Sequence, residues 1–247
     1  MKYREINPSG FLSNFVKCIW YYETKDAEIQ HTILPDGYFD LIAEFENETL
    51  TTLKLTGIWT QPKDIIIPKN TIFFAIRFKL LALEYIFKKE IKTILDTTAD
   101  MPFSFWNIDK YECKEFEKFA FELTNKLNAS IKHLVEIDNR KLNLFDIVYQ
   151  QKTLTVSELS NQIFWSSRQI NRYFQSQFGI SLKEFLKIVR CHATYQNISN
   201  GNLNPSTHFF DQAHFIKEIK KYTGVTPKEL SKNKNDRFLQ LSKVVET

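Results

Sequence analysis

The chain has 247 residues, 43% of them hydrophobic, and a formal charge of +4; that is long and apolar enough for two compact domains and only mildly basic. Its start, MKYREINPSGFLSNF, has no apolar run behind a basic head, and its most apolar stretch, TIFFAIRFKLLALEYIF, is broken by Arg77, Lys79 and Glu84. Neither a leader nor a membrane span is expected, and a cytoplasmic protein fits. Cys18, Cys113 and Cys191 are odd in number, far apart and without CxxC spacing, which argues for reduced, packed thiols and against a disulfide framework or zinc ribbon.

Residues 1–110 read as β-rich. Aromatic or β-branched runs at Phe15 to Tyr22, Ile29 to Leu34, Tyr38 to Phe45, Leu50 to Trp59, Asp64 to Pro68 and Thr71 to Phe78 are separated by Pro, Gly, Asp or Asn. Short strands at this spacing predict a small antiparallel barrel or sandwich. A helix is predicted from Leu80 to Lys89, then a loop around Asp96 to Asn107. Pro35-Asp36-Gly37 suits a tight turn between strands without any ligand. Arg77, a charge inside an apolar run, needs a partner or an outward face: an anionic ligand, or Asp40 or Glu44 from another strand.

Residues 111–138 read as a linker helix. Cys113, Phe116, Phe119, Ala120, Leu123 and Leu127 recur every three or four positions and make one apolar stripe. The stripe either packs on the β domain of its own chain or pairs with its mate across a two-fold axis in a homodimer.

Residues 139–235 carry one pattern twice, 45 positions apart. Ser166 precedes SRQINRYFQSQFGISLKEF and Asp211 precedes QAHFIKEIKKYTGVTPKEL, and the copies align without a gap. Ile170 meets Phe215, Phe174 meets Ile219, Arg172 meets Lys217 and Gly179 meets Gly224. Ser166 and Asp211 are good N-caps. The i, i+4 apolar pairs set a buried face, and the glycines tolerate the positive φ of a helix end. Ser181 and Thr226 restart the chain as caps, and these N-termini suit phosphate oxygens. Val156, Leu159 and Ile163 make a short amphipathic helix beginning near Thr155 or Ser157, which with the next helix completes a helix-turn-helix. Leu182, Phe185, Leu186, Val189 and Ala193 predict a helix of roughly four turns joining the two readers. A second scaffold helix is expected only from Pro205 to about Phe209. Residues 236–247 remain as a tail. The fold class is thus α+β, a β-rich first part and an all-α second part with two helix-turn-helix units on one long helix.

Charge agrees with this division. Residues 1–140 hold 18 Lys+Arg against 21 Asp+Glu, and residues 141–247 hold 15 against 8, so the parts carry −3 and +7. A basic half beside an acidic one is the footprint of a nucleic-acid module attached to something else.

LSNQIFWSSRQINRYFQSQFGIS, the RCHA stretch Arg190 to Ala193, and FFDQAHFIKEIKKYTGVTP together resemble the DNA-binding domain of AraC/XylS-type transcriptional regulators, over about residues 140 to 231. The resemblance implies two helix-turn-helix units whose reading helices enter successive major-groove faces of double-stranded DNA, and activation, with RNA polymerase as a partner, as the direction of control. Where the family has a glycine in each turn, this chain has Phe164 and His208, so those turns need another backbone geometry or strain. The run ILPDGYFDLIAEF resembles a small β domain, related to cupin-like sensor domains, found on a subgroup of these regulators. It lacks the later Pro-Gly of that subgroup.

From the helix phase, Ser167, Arg168, Asn171, Arg172 and Gln175 lie on or near the outer face of the first reader, and the resemblance places Arg168, Asn171 and Arg172 toward base edges. Gln212, Ala213, Ile216 and Lys217 take the equivalent places in the second. Arg suits guanine, Asn adenine, and Ile216 a thymine methyl. Ser181 and Thr226 are the expected phosphate contacts. If the β domain senses a small-molecule effector, Trp20, Tyr22, Trp59, Phe74 and Arg77 are its expected lining, although core filling explains any single one of the aromatics better. A metal-dependent cupin enzyme needs several His with Glu or Asp at close spacing, and before residue 132 there is only His31. No cofactor, metal or catalytic residue is therefore expected. The alternative function is a DNA-binding regulator whose first domain only dimerises or binds a protein.

Overall fold

The computed structural model describes residues 2–88, 92–132, 134, 137–150, 155–204, 209–233, 237–238 and 241. Its fold is mixed α+β. Eight strands form the first part: β1 (Lys2–Ile6), β2 (Val16–Glu23), β3 (Ile29–Ile33), β4 (Phe39–Glu46), β5 (Thr49–Thr56), β6 (Lys63–Ile67), β7 (Thr71–Phe78) and β8 (Thr98–Asp100). Six make an antiparallel sheet in the order β1-β2-β7-β4-β5-β8, and β3 pairs with β6 in a separate ribbon. The arrangement is an open sandwich, with no closure into a barrel among the described strands.

Strand alternation gives the large sheet two different faces. Register sets Cys18 beside Arg77, Trp20 beside Ala75 and Tyr22 beside Phe73. This face is covered by the ribbon, in a small apolar cluster of Cys18, Trp20, Tyr22, Ile67 and Ala75. The opposite face carries Tyr21, Phe45, Phe74 and Phe78 and is covered by helix α1 (Phe116–Lys132), whose Phe116 and Phe119 rings lie 5.5 and 5.2 Å from that of Phe74. The apolar stripe of α1, Phe116 to Ile131, is buried on its own sheet, the cis packing of the two arrangements open to the sequence.

Four expectations change. β1 and β8 escaped notice because each is short and sits at an edge, where one-sided pairing relaxes the apolar pattern. The strand expected to run to Trp59 ends at Thr56, because Gly57 donates its N–H to Thr97 and Ile58 accepts from Asp96 instead. The helix expected from Leu80 is a short segment ending in one wide turn, Leu83–Phe87, and stops at Lys88 in the left-handed region (φ 54°). A helix the periodicity did not reveal, α2 (Asn139–Tyr149), leads into the second part with Asp138 as its N-cap.

The second part continues with α3 (Val156–Ile163), α4 (Ser167–Phe178), α5 (Leu182–Ser199), α6 (Gln212–Thr223) and α7 (Pro227–Lys232). Beside the small cluster under the ribbon, one large apolar cluster runs from the α1-covered face of the sheet through α2 into α4, α5 and α6. Long-range aromatic packing causes this: Tyr38 stacks on Tyr149 at 5.1 Å, and Phe145 meets Phe174 at 5.7 Å.

Phe164 answers the missing glycine in the first turn. It caps α3 at φ 54°, ψ 40°, the left-handed region, with its side chain 90% exposed. The glycine geometry is kept and the Cβ bears a strain of about 1 kcal/mol. Because no packing is lost, Phe164→Gly is expected to raise the melting temperature by about 2–4 °C; a lowered temperature in calorimetry would contradict the strain. His208 and the second scaffold helix from Pro205 lie outside the described residues, except that Phe209 is buried against Phe215 at 5.1 Å.

Candidate nucleic-acid interface

Both reading helices begin as their caps require. Ser166 Oγ accepts from the Gln169 N–H while Gln169 reaches back to Ser166, a reciprocal capping box. Asp211 accepts from the His214 N–H at 2.7 Å, and His214 Nδ1 in turn accepts from the Phe210 N–H at 3.3 Å. His214 is thus part of the cap. Each helix ends at its glycine, Gly179 or Gly224, in the left-handed region.

The buried sides are as the repeat predicts: Ile170, Tyr173, Phe174 and Phe178 on α4, Phe215, Ile219 and Tyr222 on α6. On α4 the outer side presents Arg168 and Arg172 exposed, with Ser167 and Asn171 half-buried. Among the described residues neither arginine is in a salt bridge. Gln175 is exposed but donates to the Gly179 carbonyl at 3.1 Å. On α6, Gln212, Ala213, Ile216 and Lys217 are all exposed, Gln212 also donating to the Leu203 carbonyl at 3.0 Å.

The hydroxyls of Ser181 and Thr226 are taken by their own helices. Ser181 accepts from the Glu184 N–H, and Thr226 shares a capping box with Glu229. The Glu229 carboxylate already sits 2.8 Å from the Thr226 N, so a phosphate arriving at α7 meets a negative charge.

α5 holds the readers in place. Glu184 near its start accepts from Lys221 Nζ at 2.8 Å and Tyr222 Oη at 2.7 Å, tying it to the end of α6. Lys187 reaches the buried Glu218 of α6 at 3.4 Å. Beside α4 lies a concavity of about 240 Å³ lined by Lys141, Trp165, Gln169, Arg172, Tyr173 and Ser176. The Arg140 guanidinium stands 5.3 Å from the Trp165 ring, so three cations border this hollow.

The β part docks on the back of this assembly. Tyr149 donates to the Gly37 carbonyl at 2.9 Å and Tyr195 to the Pro35 carbonyl at 3.1 Å. Gly37, at φ 81°, comes so close to α5 that a Cβ there would lie 3.0 Å from Val189 Cγ2. Pro35-Asp36-Gly37 is therefore more than a turn; it is the contact between the sheet and the joining helix. Tyr173 of α4 and Lys141 of α2 both bond Glu84. Beyond α7, Arg237 accepts from the Thr32 N–H and Phe238 bridges to β3, so the described part of the tail is held on the ribbon.

Of the five expected effector residues, Trp20, Tyr22 and Arg77 share the ribbon-covered face, and Phe74 points to the opposite one. The error has a simple origin: residue 74 differs by an odd number from 77 along the same strand, so the two must diverge. Trp59 is half-buried in the loop after β5, outside both apolar clusters. Arg77 is bidentate to Asp40 at 3.0 and 3.1 Å and lies 3.4 Å from Asp36. Trp20 Nε1 donates to the same Asp40. Asp36, the partner that sequence reasoning missed, is buried and accepts from the Tyr38 N–H.

Two titratable groups at this contact oppose each other. Burial pushes the Asp36 carboxyl up to about 6, against the pull of Arg77, and burial with help from Arg77 and Lys17 pushes His192 down to about 4. His192 sits edge-on to Tyr38 and Tyr195. Asp36, raised when folded, contributes stability that is present below its usual 3.8 and lost as pH rises through about 6. His192, depressed when folded, contributes stability that is present above its usual 6.5 and lost as pH falls toward about 4. The slopes partly cancel between these limits. Relative to the parent, Asp36→Asn is expected to lose stability on acidification from about pH 7 to about pH 4.5, and His192→Gln to gain it. Melting curves that stay parallel for all three proteins would remove both groups from the balance.

Two like helices, capped alike, are set on one joining helix beside a β sandwich, and α3 with α4 makes a helix-turn-helix. Comparison with known families agrees: residues 159–233 match a helix-turn-helix domain family and residues 4–100 match a domain of unknown function, DUF6597. No curated protein sequence matches the chain. Among solved structures it is similar to ToxT from Vibrio cholerae, at 8% identity over 93% of this chain and 97% of that one, TM-score 0.42. ToxT bound to (E)-4-(8-methylnaphthalen-1-yl)but-3-enoic acid matches at 10% identity over 98% and 100%, TM-score 0.46. ToxT bound to an unsaturated fatty acid matches at 11% over 93% and 96%, TM-score 0.41. Among the described residues, no helix is long and apolar enough to cross a membrane.

Proposed function

We propose that the chain is a sequence-specific transcription regulator that reads double-stranded DNA with α4 and α6, under the control of a small-molecule effector bound in the β part. The observation that carries the reading is the repeated helix with its outer side left open: Arg168 and Arg172 stand exposed with Asn171 between them, while every large apolar residue of α4 is buried. Arg168, Asn171 and Arg172 supply donors and acceptors for base edges, and Ser167 and Lys217 reach the backbone or a guanine. Activation through RNA polymerase, and a homodimer, belong to the same proposal.

The effector would act through the docking of Pro35-Asp36-Gly37 on α5. A ligand that competes with Asp36 and Asp40 for Arg77, beside Trp20 and Tyr22, would change the loop on which Tyr149 and Tyr195 are anchored. It would thereby alter the position of both readers. Selection of bound duplexes from a random library tests the DNA reading. Two enriched blocks about one helical turn apart, roughly 10 base pairs, are expected; no enrichment would overturn it. On the selected site, Arg168→Ala is expected to cost about 1–3 kcal/mol and relax one base position, and Lys217→Ala to weaken cognate and scrambled DNA alike. Equal losses on both duplexes for Arg168→Ala would remove its base-reading role.

A further inference from the structure

The two readers differ in chemistry on their open sides. α4 offers Arg168, Asn171 and Arg172, all hydrogen-bonding groups. α6 offers Ala213 and Ile216, the latter 38% exposed, with Lys217 and Lys220 beside them. Immediately before the cap of α6 stands Phe210, 92% exposed. Its backbone is fixed on both sides: the preceding Phe209 is buried against Phe215, and the Phe210 N–H is held by His214. The ring is therefore presented to solvent from a rigid base.

In the first copy the aligned residue, Trp165, behaves otherwise. It lies over Tyr173 at 5.3 Å with Arg140 on its other side, half-buried. At the residue next to the cap, the end that meets base edges in a helix-turn-helix, only the second reader thus presents an exposed apolar ring; the exposed Phe164 before α4 stands one residue further back, at the left-handed cap of α3. The major groove displays one apolar group, the thymine 5-methyl. Flanking lysines favour a phosphate-bordered partner over an apolar protein surface.

We infer that α6 reads its half-site through thymine methyl groups, with Phe210 and Ile216 as the specificity-determining contacts, while α4 reads by hydrogen bonds. This rests on the DNA-reading proposal above and names what the second block must contain. The block bound by α6 carries thymines at the positions facing Phe210 and Ile216. Asn and Arg contacts in the first block are indifferent to the methyl.

The test uses the full chain and its selected duplex, with uracil replacing thymine in one block at a time, which removes only the methyl. Uracil in the second block is expected to weaken binding about fourfold for each contacted methyl, and uracil in the first block to leave it unchanged. Phe210→Ala and Ile216→Ala should each lose about one fourfold step of the preference for thymine over uracil, and the double variant should bind both duplexes equally, at the affinity the parent shows for uracil. Equal parental affinity for both duplexes, or a second block without thymine, overturns the inference and leaves DNA reading intact. Loss of binding in Phe210→Ala that is the same on every duplex, with unchanged melting temperature, assigns the ring to sugar–phosphate contact and also overturns it. Absence of any selected sequence fails the DNA-reading proposal itself.

Discussion

Arg77→Leu is expected to destabilise the protein by about 3–5 kcal/mol at pH 7.5, because it removes the guanidinium that pairs with both the buried Asp36 and the half-buried Asp40. The side chains of Arg77, Asp36 and Asp40 are 20%, 7% and 13% exposed, so little solvent replaces the lost partner. Leucine fills much of the arginine stem but leaves the Asp40 carboxylate, among the described residues, with the Trp20 indole as its donor. Its deficit should shrink on acidification, since protonating Asp36, whose carboxyl burial pushes up to about 6, relieves part of the unpaired charge. A second substitution, Asp40→Asn, should recover part of the loss in the Arg77→Leu background and be harmful alone, the non-additivity expected of groups in direct contact. Urea denaturation measures all four proteins. A single-variant loss below about 1 kcal/mol would mean that the pair is solvated like a surface bridge. Because Asp36 lies in the loop docked on α5, the same variant should also alter DNA affinity, whereas a merely local defect would leave affinity unchanged at temperatures where the protein is folded.

Phe174→Ala is expected to cost about 3–5 kcal/mol in stability through the cavity it leaves. The ring is fully buried, 5.1 Å from that of Phe178, 5.5 Å from Phe185 of α5 and 5.7 Å from Phe145 of α2. It thus joins three helices. The urea midpoint should fall with the slope unchanged, which reports a lost contact within an otherwise intact fold. An unchanged midpoint would place Phe174 outside the core. DNA affinity should fall less than stability so long as the variant is folded, because no atom of Phe174 reaches the open side of α4.

Much of the reading assembly was legible in the chain. Thr155, Ser166, Asp211 and Thr226 all cap the helices that the sequence assigns to them, and α5 runs from Leu182 to Ser199, somewhat longer than the four turns read from its apolar spacing. Such signals act within three or four residues, so neighbouring positions suffice to read them. Strand positions were likewise recovered to within a few residues where alternation was strong, as from Phe39 to Glu46. Failures fall where a distant partner decides. The edge strand β1 exists because β2 offers it a register. Phe74 belongs with α1 and not with Trp20 because the ribbon covers only one face of the sheet.

By itself the sequence determined most of the central strands and the helices from α3 on, where the readers begin and end, and which side of each reader is apolar, since those depend on contacts within a turn or a two-residue repeat. Only the tertiary structure decided that Pro35 and Gly37 receive the hydroxyls of Tyr195 and Tyr149, that Asp36 joins Arg77, and that Arg237 meets Thr32. Most of these contacts join groups more than a hundred positions apart, and all of them arise from the burial of polar groups that must find partners once water is excluded. No local pattern encodes that choice; the packing of the sheet against α5 does.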